Sequence, residues 1–487
     1  MKRLLSILMA AVMLVSLFSC SRDEDIPASV TTAADTAAPE TAEPENTGTP
    51  EPALPEIDFE GGDFTLLYRG NGATYTCSDI VVEEQNGEIV NDVVYARKIA
   101  TEEKMKCKVV GVENESPAAV VSKAVRSDSY SCDVMFDQMY VQITHAADGE
   151  YLDFNTIPNI DMNAVYWDSN AASDLSVGRK LYMAVSDISM RTTGDARFIY
   201  FNKYLVEQYN LPEPYQYVYE DKWTLEVFSS MVKSISEDLD GNSKLDGYDR
   251  FGLLEEGPTY FISGAGVKFT EKDDEDIPQI SFMNERTVKA LELIGDFLND
   301  ETHAIGYQEA ADGHDTSGFA HVFNYGRSLF ATDHFLFVQN GAGVSNQFTN
   351  MEHDYGVVPN PKFDETQEEY YHLIDAASCS MSVPTTNTEL DRTGAVLEYM
   401  SWYSHDTLVP AYYETTIKLK RLQDEDAPKM MDIIRDSIRY EISYIAGVGI
   451  EAVLAKGVSS GDLASAYAKQ EKSINKKLEK IIDKLTD

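Results

Sequence analysis

Basic residues are scarce for a chain of this size: 40 Lys and Arg stand against 82 Asp and Glu in 487 residues, a formal net charge of -42. Nucleic-acid binding needs clustered cations that displace phosphate counterions, so that class of partner is excluded. Docking on an anionic lipid surface through charge alone is excluded for the same reason. Cysteine is scarce as well, five in all, and no two stand in a CxxC spacing. Neither a cysteine zinc site nor a dithiol redox motif is expected. The eight histidines make no HExxH, and His314 and His321 have no cysteine near them, so zinc is not expected there either. After residue 20 no stretch approaches the roughly eighteen apolar residues of a membrane-spanning helix. What is present is ordinary globular material, 43% hydrophobic and 10% aromatic. At about 150 residues per domain, the length allows two or three domains or one bilobal unit. The acidic balance suits a highly soluble protein in an aqueous compartment.

The N-terminus carries an address. Lys2 and Arg3 precede an apolar run from Leu4 to Phe18, broken only by Ser6 and Ser16. The run is too short for a bilayer span and fits a secretory signal. It ends in Leu17-Phe18-Ser19-Cys20, which resembles a bacterial lipobox. That resemblance implies a signal peptide at 1–19, cleavage before Cys20, and diacylglycerol on the Cys20 sulfur. The mature protein would sit on the outer face of the cell membrane, attached through its lipid alone. Residues 21–56 are rich in Pro, Thr, Ala and Glu and hold no aromatic residue. Such a segment buries too little apolar surface to offset its chain entropy, so 20–56 reads as a lipidated Cys and a disordered linker. A flexible chain of that length spans about 30–35 Å. Cys77, Cys107, Cys132 and Cys379 remain, and three disulfide pairings are open. Cys107 and Cys132 fall in apolar strand patterns, where buried free thiols are the simpler reading.

From residue 57 strand and helix patterns alternate. Phe64 to Tyr68 reads as a strand ending at Gly70-Asn71-Gly72. Val93, Ala96 and Ala100 take helical spacing, Lys108 to Val112 reads as a strand, Pro117 to Val125 as a helix and Cys132 to Phe136 as a strand. This alternation predicts an α/β fold with a parallel sheet. Ligands of such sheets sit beyond the strand carboxyl ends, here near Tyr68–Arg69 and Asp137–Gln138. Two apolar strands enclosing a polar loop within 180–204 are placed to carry the chain between lobes. Thr224 reads as a helix N-cap and Trp223 as a structural staple on Phe228. A long C-terminal helix repeats apolar residues from Leu463 to Leu485, with its lysines on the solvated side.

The order of several segments resembles the extracellular solute-binding proteins of bacterial ABC importers, in the maltodextrin-binding-protein-like group and its clostridial lipoprotein type. The segments are Gly178-Arg179-Lys180-Leu181-Tyr182, Phe201-Asn202-Lys203, Lys222-Trp223-Thr224, Asp238 to Leu253, Gly326 to Phe330, Tyr355 to Pro359 and Val383-Pro384. The likeness implies a two-lobed periplasmic-binding-protein-like fold of type II, with the ligand cleft between lobes joined by hinge crossings. Lobe 1 would be 57–183 with 374–415, and lobe 2 would be 190–370 with 420–487. It further implies a monomeric receptor, not an enzyme, that captures a small solute, an oligosaccharide above all, and hands it to a membrane permease. Peptides, polyamines and metal chelates stay open as ligands. A lipid-anchored glycan-active enzyme and a sensory lipoprotein stay open as alternative roles.

Asp238, Asp240, Asn242, Lys244 (through its carbonyl), Asp246 and Asp249 lie at the positions of a twelve-residue calcium loop. The loop departs from that pattern at Ser243, where Gly is usual, and at Asp249, which is shorter than the usual Glu. It predicts structural Ca²⁺ and no catalytic cofactor. Gly457-Val-Ser459-Ser-Gly461 matches a hydrolase elbow, but no His follows it, and it reads as a loop before the last helix. With 82 acids a glycosidase pair can be drawn anywhere and carries no information. A sugar cleft needs flat apolar faces and polar anchors. The segments that face the cleft in the resembled family supply Tyr68, Arg69, Asp137, Gln138, Trp167, Asp195, Arg197, Asp333, His334, Tyr412, Tyr413, Arg435 and Tyr440 as candidates. At Asp333 and His334 related receptors place an aromatic residue. Trp402 reads as core.

Overall fold

Phe64, Leu66 and Leu67 are buried along the strand Asp63–Arg69, as expected where a parallel sheet is covered on both faces. The computed structural model describes residues 48–70, 76–348, 350–418 and 425–487; the expected signal peptide, Cys20 and residues 21–47 lie outside them. Strand Asp63–Arg69 pairs in parallel with Lys108–Asn114 on one side and Val134–Gln138 on the other. Helices Ile89–Met105 and Pro117–Arg126 make the crossovers. Cys379–Ser382 adds antiparallel to Val134–Gln138, completing a four-stranded sheet from segments far apart in the chain.

The second sheet is mixed. Its order is Tyr355–Val358, Phe198–Asn202, Phe335–Asn340, Arg250–Glu255 and Ser236–Glu237, with Ala304–Gly306 also on Arg250–Glu255. Trp223 fixes a helix beneath it: the indole donates to Pro359 O at 2.8 Å and its ring meets Phe228 edge-on at 5.8 Å. Thr224 caps that helix by accepting from Val227 N at 3.5 Å, so the expected cap and staple are both found.

Two large apolar cores underlie the sheets. One draws on residues from Phe59 to Ala196 and from Ile374 to Met400, the other on Phe198 to Leu373, Ala427 to Ile434 and Val448 to Leu478. Ile438, Tyr440, Ile442, Ile445 and Leu485 pack with the first core, although the sequence reading put all of 420–487 in the second lobe. The reason is a ribbon between the cores. Ala196 bridges Ile374, and His372–Leu373 pairs in parallel with Ile438–Arg439, so three passes of the chain lie side by side.

Three local expectations differ from the structure. Residues 180–187 form isolated bridges rather than a strand, because they are held by Trp167, by a tight turn at 177–180 and by Met381. The Gly457–Gly461 segment is not a loop: Ser459 lies in the last turn of the helix Ile450–Ser460, and Gly461 closes it at φ 67°. Residues 48–56 are not free linker, since Leu54 packs on the first core and Thr49 bonds to Asp406. Cys77 and Cys379 form a disulfide, whereas Cys107 and Cys132 are free and buried. Among the described residues no helix is long and apolar enough to cross a membrane.

Candidate interlobe site

The carboxyl ends of Asp63–Arg69, Val134–Gln138, Arg250–Glu255 and Phe335–Asn340 lead to the ribbon that joins the cores. Met139 N and Tyr140 N, just past the end of Val134–Gln138, donate to Ser378 O and Ala376 O at 2.9 and 3.0 Å. From the other side Gly341 meets Gly194 backbone to backbone: a Cβ on Gly341 would lie 2.3 Å from Gly194 O. Only glycine permits that approach.

Arg197 is the centre of this region. Its Nε donates to Glu256 Oε2 and its Nη2 to Asp375 Oδ2, each at 2.7 Å, while Nη1 donates to Asp195 O at 3.0 Å. The Tyr260 ring lies 5.4 Å from the guanidinium carbon. Burial opposes the Arg197 charge, but Glu256, Tyr260 and Asp375 outweigh it and raise its pKa well above the ordinary value. Asp195 pairs with Arg191 at 2.7 Å, yet its burial still raises the carboxyl pKa. Nearby, Asn340 donates to Tyr307 Oη at 3.1 Å.

On the first lobe, Arg69 meets Asp137 at 3.2 Å, and Asp137 also accepts from Ala118 N and Gln138 N. Asp137 is therefore committed to its own lobe. Gln138 is different: it is 3% exposed, and its Oε1 is buried with no hydrogen-bond partner among the described residues. A buried acceptor with no donor is costly unless something arrives to bond it. Tyr140, two residues on, is 47% exposed.

The other candidates scatter. Tyr68 is buried in its lobe, its hydroxyl 3.4 Å from Val81 O and from Glu113, and burial together with Glu113 pushes its pKa up to about 12. Its ring is not a stacking face. Tyr440 is fully enclosed and donates to Asp168 Oδ2 at 2.6 Å. Asp333 and His334 precede the strand Phe335–Asn340, at the end opposite Asn340. There Asp333 accepts from Asn202 at 2.6 Å and pairs with His353 at 2.7 Å, so it serves the far edge of the sheet. Tyr412 lies with its hydroxyl against Gly194, and Tyr413 packs with Val94, Met190 and Leu408. Trp167 and Arg435 share a cavity of about 420 Å³ with Asp187, His405, Thr192 and Thr193. In its wall Asp187 takes Arg435 at 2.7 Å and His405 at 2.6 Å. The Trp167 indole is spent on Glu398 at 2.8 Å. A larger space of about 580 Å³ lies beside the ribbon, walled by Asp174, Lys272, Arg439 and Glu441.

Sequence reasoning missed Glu256, Asp375, Tyr140 and Asp187. Tyr140 lay within reach of a sequence argument, two residues beyond Gln138 at a strand carboxyl end. Glu256, one residue past the strand Arg250–Glu255, lay within reach of the same argument; Asp375 carried no local signal, and the ribbon brings it to Arg197.

In the acidic loop the carboxylates of Asp238, Asp240 and Asp249 lie within 4.8 Å of one another. Asp249 is fully buried and accepts from Leu239 N and Asp246 N at 2.8 and 2.9 Å. Ser243 takes the left-handed φ of 65° that glycine usually supplies, its N–H bonded to Asp238 at 2.8 Å. Asn242 and Asp246 likewise bond to the loop's own N–H groups, outside the group of three. Three converging carboxylates fit a hard, oxygen-seeking cation.

No protein-family model and no curated protein matches the chain. Solved structures do match in fold. An ABC substrate-binding protein of Listeria monocytogenes, in complex with cycloalternan, superposes with a TM-score of 0.54 at 12% identity, covering 85% of this chain and 98% of its own. A cyclo/maltodextrin-binding protein complexed with maltotetraose gives 0.51 at 13% identity, with 87% and 97% covered. The apo form of RafE from Streptococcus pneumoniae gives 0.51 at 15%, with 88% and 98% covered. The chain has the α/β periplasmic-binding-protein-like fold.

Proposed function

We propose that the chain is the extracytoplasmic receptor of an ABC importer, taking an oligosaccharide into the space between its lobes. The fold supports this reading, and so does the carbohydrate bound in the Listeria and maltotetraose complexes. The observation that carries it is the meeting of both strand-end regions at Arg197, with Gln138 offering a buried unpaired acceptor and Tyr140 an exposed aromatic face. A hydroxyl-rich ligand supplies donors for the first and an apolar ring face for the second. Arg69, Gln138, Tyr140 and Asp195 would touch it, with Arg197 holding their frame. A membrane permease would receive the closed form, and lipid on Cys20 would hold a monomer at the outer face of the membrane.

The test is a thermal-shift screen of residues 21–487 against oligosaccharides, amino acids, peptides and polyamines. A native-state ligand at a hundredfold excess over its Kd stabilises by about 2.7 kcal/mol. The reading expects an oligosaccharide to raise the melting point and return unchanged, and Tyr140→Ala with Gln138→Leu to abolish the shift. A ligand of another class, or a sugar returned cleaved, overturns it.

The Asp238–Asp249 loop is proposed to hold structural Ca²⁺ on Asp238, Asp240 and Asp249, with the Lys244 carbonyl, Asn242 and Asp246 joining on rearrangement. Calcium should then raise the melting point and chelator lower it, and Asp240→Asn with Asp249→Asn should remove both effects. A melt indifferent to calcium sinks this assignment.

A further inference from the structure

The segment that composition marks as linker is seated at its far end. Thr49 donates its N–H to Asp406 Oδ2 at 2.6 Å and its hydroxyl to Asp406 Oδ1 at 3.2 Å. Trp402 returns a bond, its indole N–H donating to Thr49 O at 2.7 Å. Glu51 pairs with Lys104, Leu54 and Ile57 pack on the first core, and Phe59 N donates to Met105 O at 3.1 Å. Arg392 lies 3.8 Å over the Phe59 ring. The segment thus contacts the two helices Ile89–Met105 and Leu390–His405. Pro50, Pro52 and Pro55 pre-set its backbone, which lowers the entropy lost on seating. Composition alone missed this, because a few apolar anchors suffice when the chain is already stiff.

The seat has a neighbour of consequence. Asp406 directly follows His405, and His405 bonds to Asp187, which holds Arg435. Arg435 stands on the helix Ala427–Asp436, whose Met430, Met431 and Ile434 belong to the second core. One chain of contacts therefore runs from Thr49 through Asp406, His405 and Asp187 to the other lobe.

We propose that residues 48–59 are a strap that binds the first lobe and whose seating is linked to the Asp187–Arg435 contact between lobes. Linkage is reciprocal: what loosens one loosens the other. If Cys20 is lipidated, the strap makes the first lobe the anchored one and leaves the second to swing. That meaning rests on the membrane-receptor reading, whereas the strap and its linkage stand or fall without it.

Hydrogen exchange read by mass spectrometry on residues 21–487 tests it, with no solute needed. Wild type should protect 48–59 at least tenfold over an unfolded chain. Asp406→Asn should erase most of that protection, and it should also speed exchange in 427–436. Trp402→Phe, which removes the indole donor together with part of the ring, should shift both segments the same way. Arg435→Gln should speed exchange in 48–59. Unfolded-chain exchange of 48–59 in wild type overturns the strap. Release of 48–59 in the Asp406 and Trp402 variants with 427–436 unmoved, or an Arg435 variant that leaves 48–59 protected, overturns the linkage.

Discussion

Glu441 accepts from Phe269 N at 2.9 Å and from the Thr270 hydroxyl at 3.3 Å, but it is half-buried in the wall of the larger cavity and, among the described residues, has no cation paired to it. Burial raises its pKa from 4.5 to about 7. A group whose folded pKa is raised contributes stability that is present below its unfolded pKa and lost as pH rises through the folded one. Glu441 therefore weakens the fold by up to about 3 kcal/mol between pH 4.5 and 8. Glu441→Gln should match or exceed wild type in urea unfolding at pH 8, with the advantage shrinking towards pH 5. An advantage independent of pH would show that the carboxyl is not the cause. His372 acts in the opposite sense: burial lowers its pKa to about 3, so its contribution is present above about pH 6.5 and lost on acidification. Arg197 is a separate matter. Arg197→Gln leaves Glu256 and Asp375 facing each other in a largely buried setting, and removing one partner of such a group costs about 3–5 kcal/mol. Denaturant unfolding should report that loss, while a change under 1 kcal/mol would mean the two carboxylates find water.

Among the elements, the helix Leu390–His405 is the clearest case of tertiary demand overriding propensity. Gly394 sits near its start, where alanine would favour the helix by about 1 kcal/mol. A Cβ there would lie 1.8 Å from Pro158 O, so the helix packs backbone to backbone on the Ile157–Pro158 segment. Gly394→Ala should destabilise by about 3 kcal/mol or more, as in other overpacked cores, and should be seen as a lower melting point. Unchanged melting would require the 154–160 segment to move aside at no cost. The same helix carries Trp402, which the sequence marked as core; it packs half-buried on the first core and also holds the strap.

For the whole molecule, the disulfide and the two cores define what can move. Cys77 and Cys379 lie 302 residues apart in sequence, yet both belong to the first core. The bond restrains the unfolded chain strongly and leaves the second lobe unconstrained. Replacing both cysteines by serine should lower the unfolding free energy by about 2–5 kcal/mol. The ligand-induced thermal shift should survive in that variant, because among the described residues no cross-link spans the lobes. Loss of the shift would mean that the Cys77–Cys379 clamp shapes the site itself. Here Cys77 N donates to Arg69 O at 2.8 Å, so the clamp is tied to the carboxyl end of the first strand.

The alternation of strand and helix, the cap at Thr224, the staple at Trp223 and the terminal helix were all legible in the sequence, because periodicity and capping are local properties of consecutive residues. Arg69 and Gln138 were named as candidates from their place at strand carboxyl ends, and Asp195 and Arg197 from the family resemblance. Their partners were not. Asp375 is 178 residues from Arg197 and Glu256 is 59 away, and Arg435 reaches Asp187 across 248. Nothing in the neighbourhoods of Asp375 and Asp187 marks them. Tyr68 and Tyr440 failed as cleft faces because burial is decided by what packs over a residue, and Asp333 failed because strand direction fixes which end meets the other lobe. The sequence by itself determined the elements and much of their order. Only the tertiary structure decided which charges pair across the ribbon, since that depends on where three distant passes of the chain come to lie side by side.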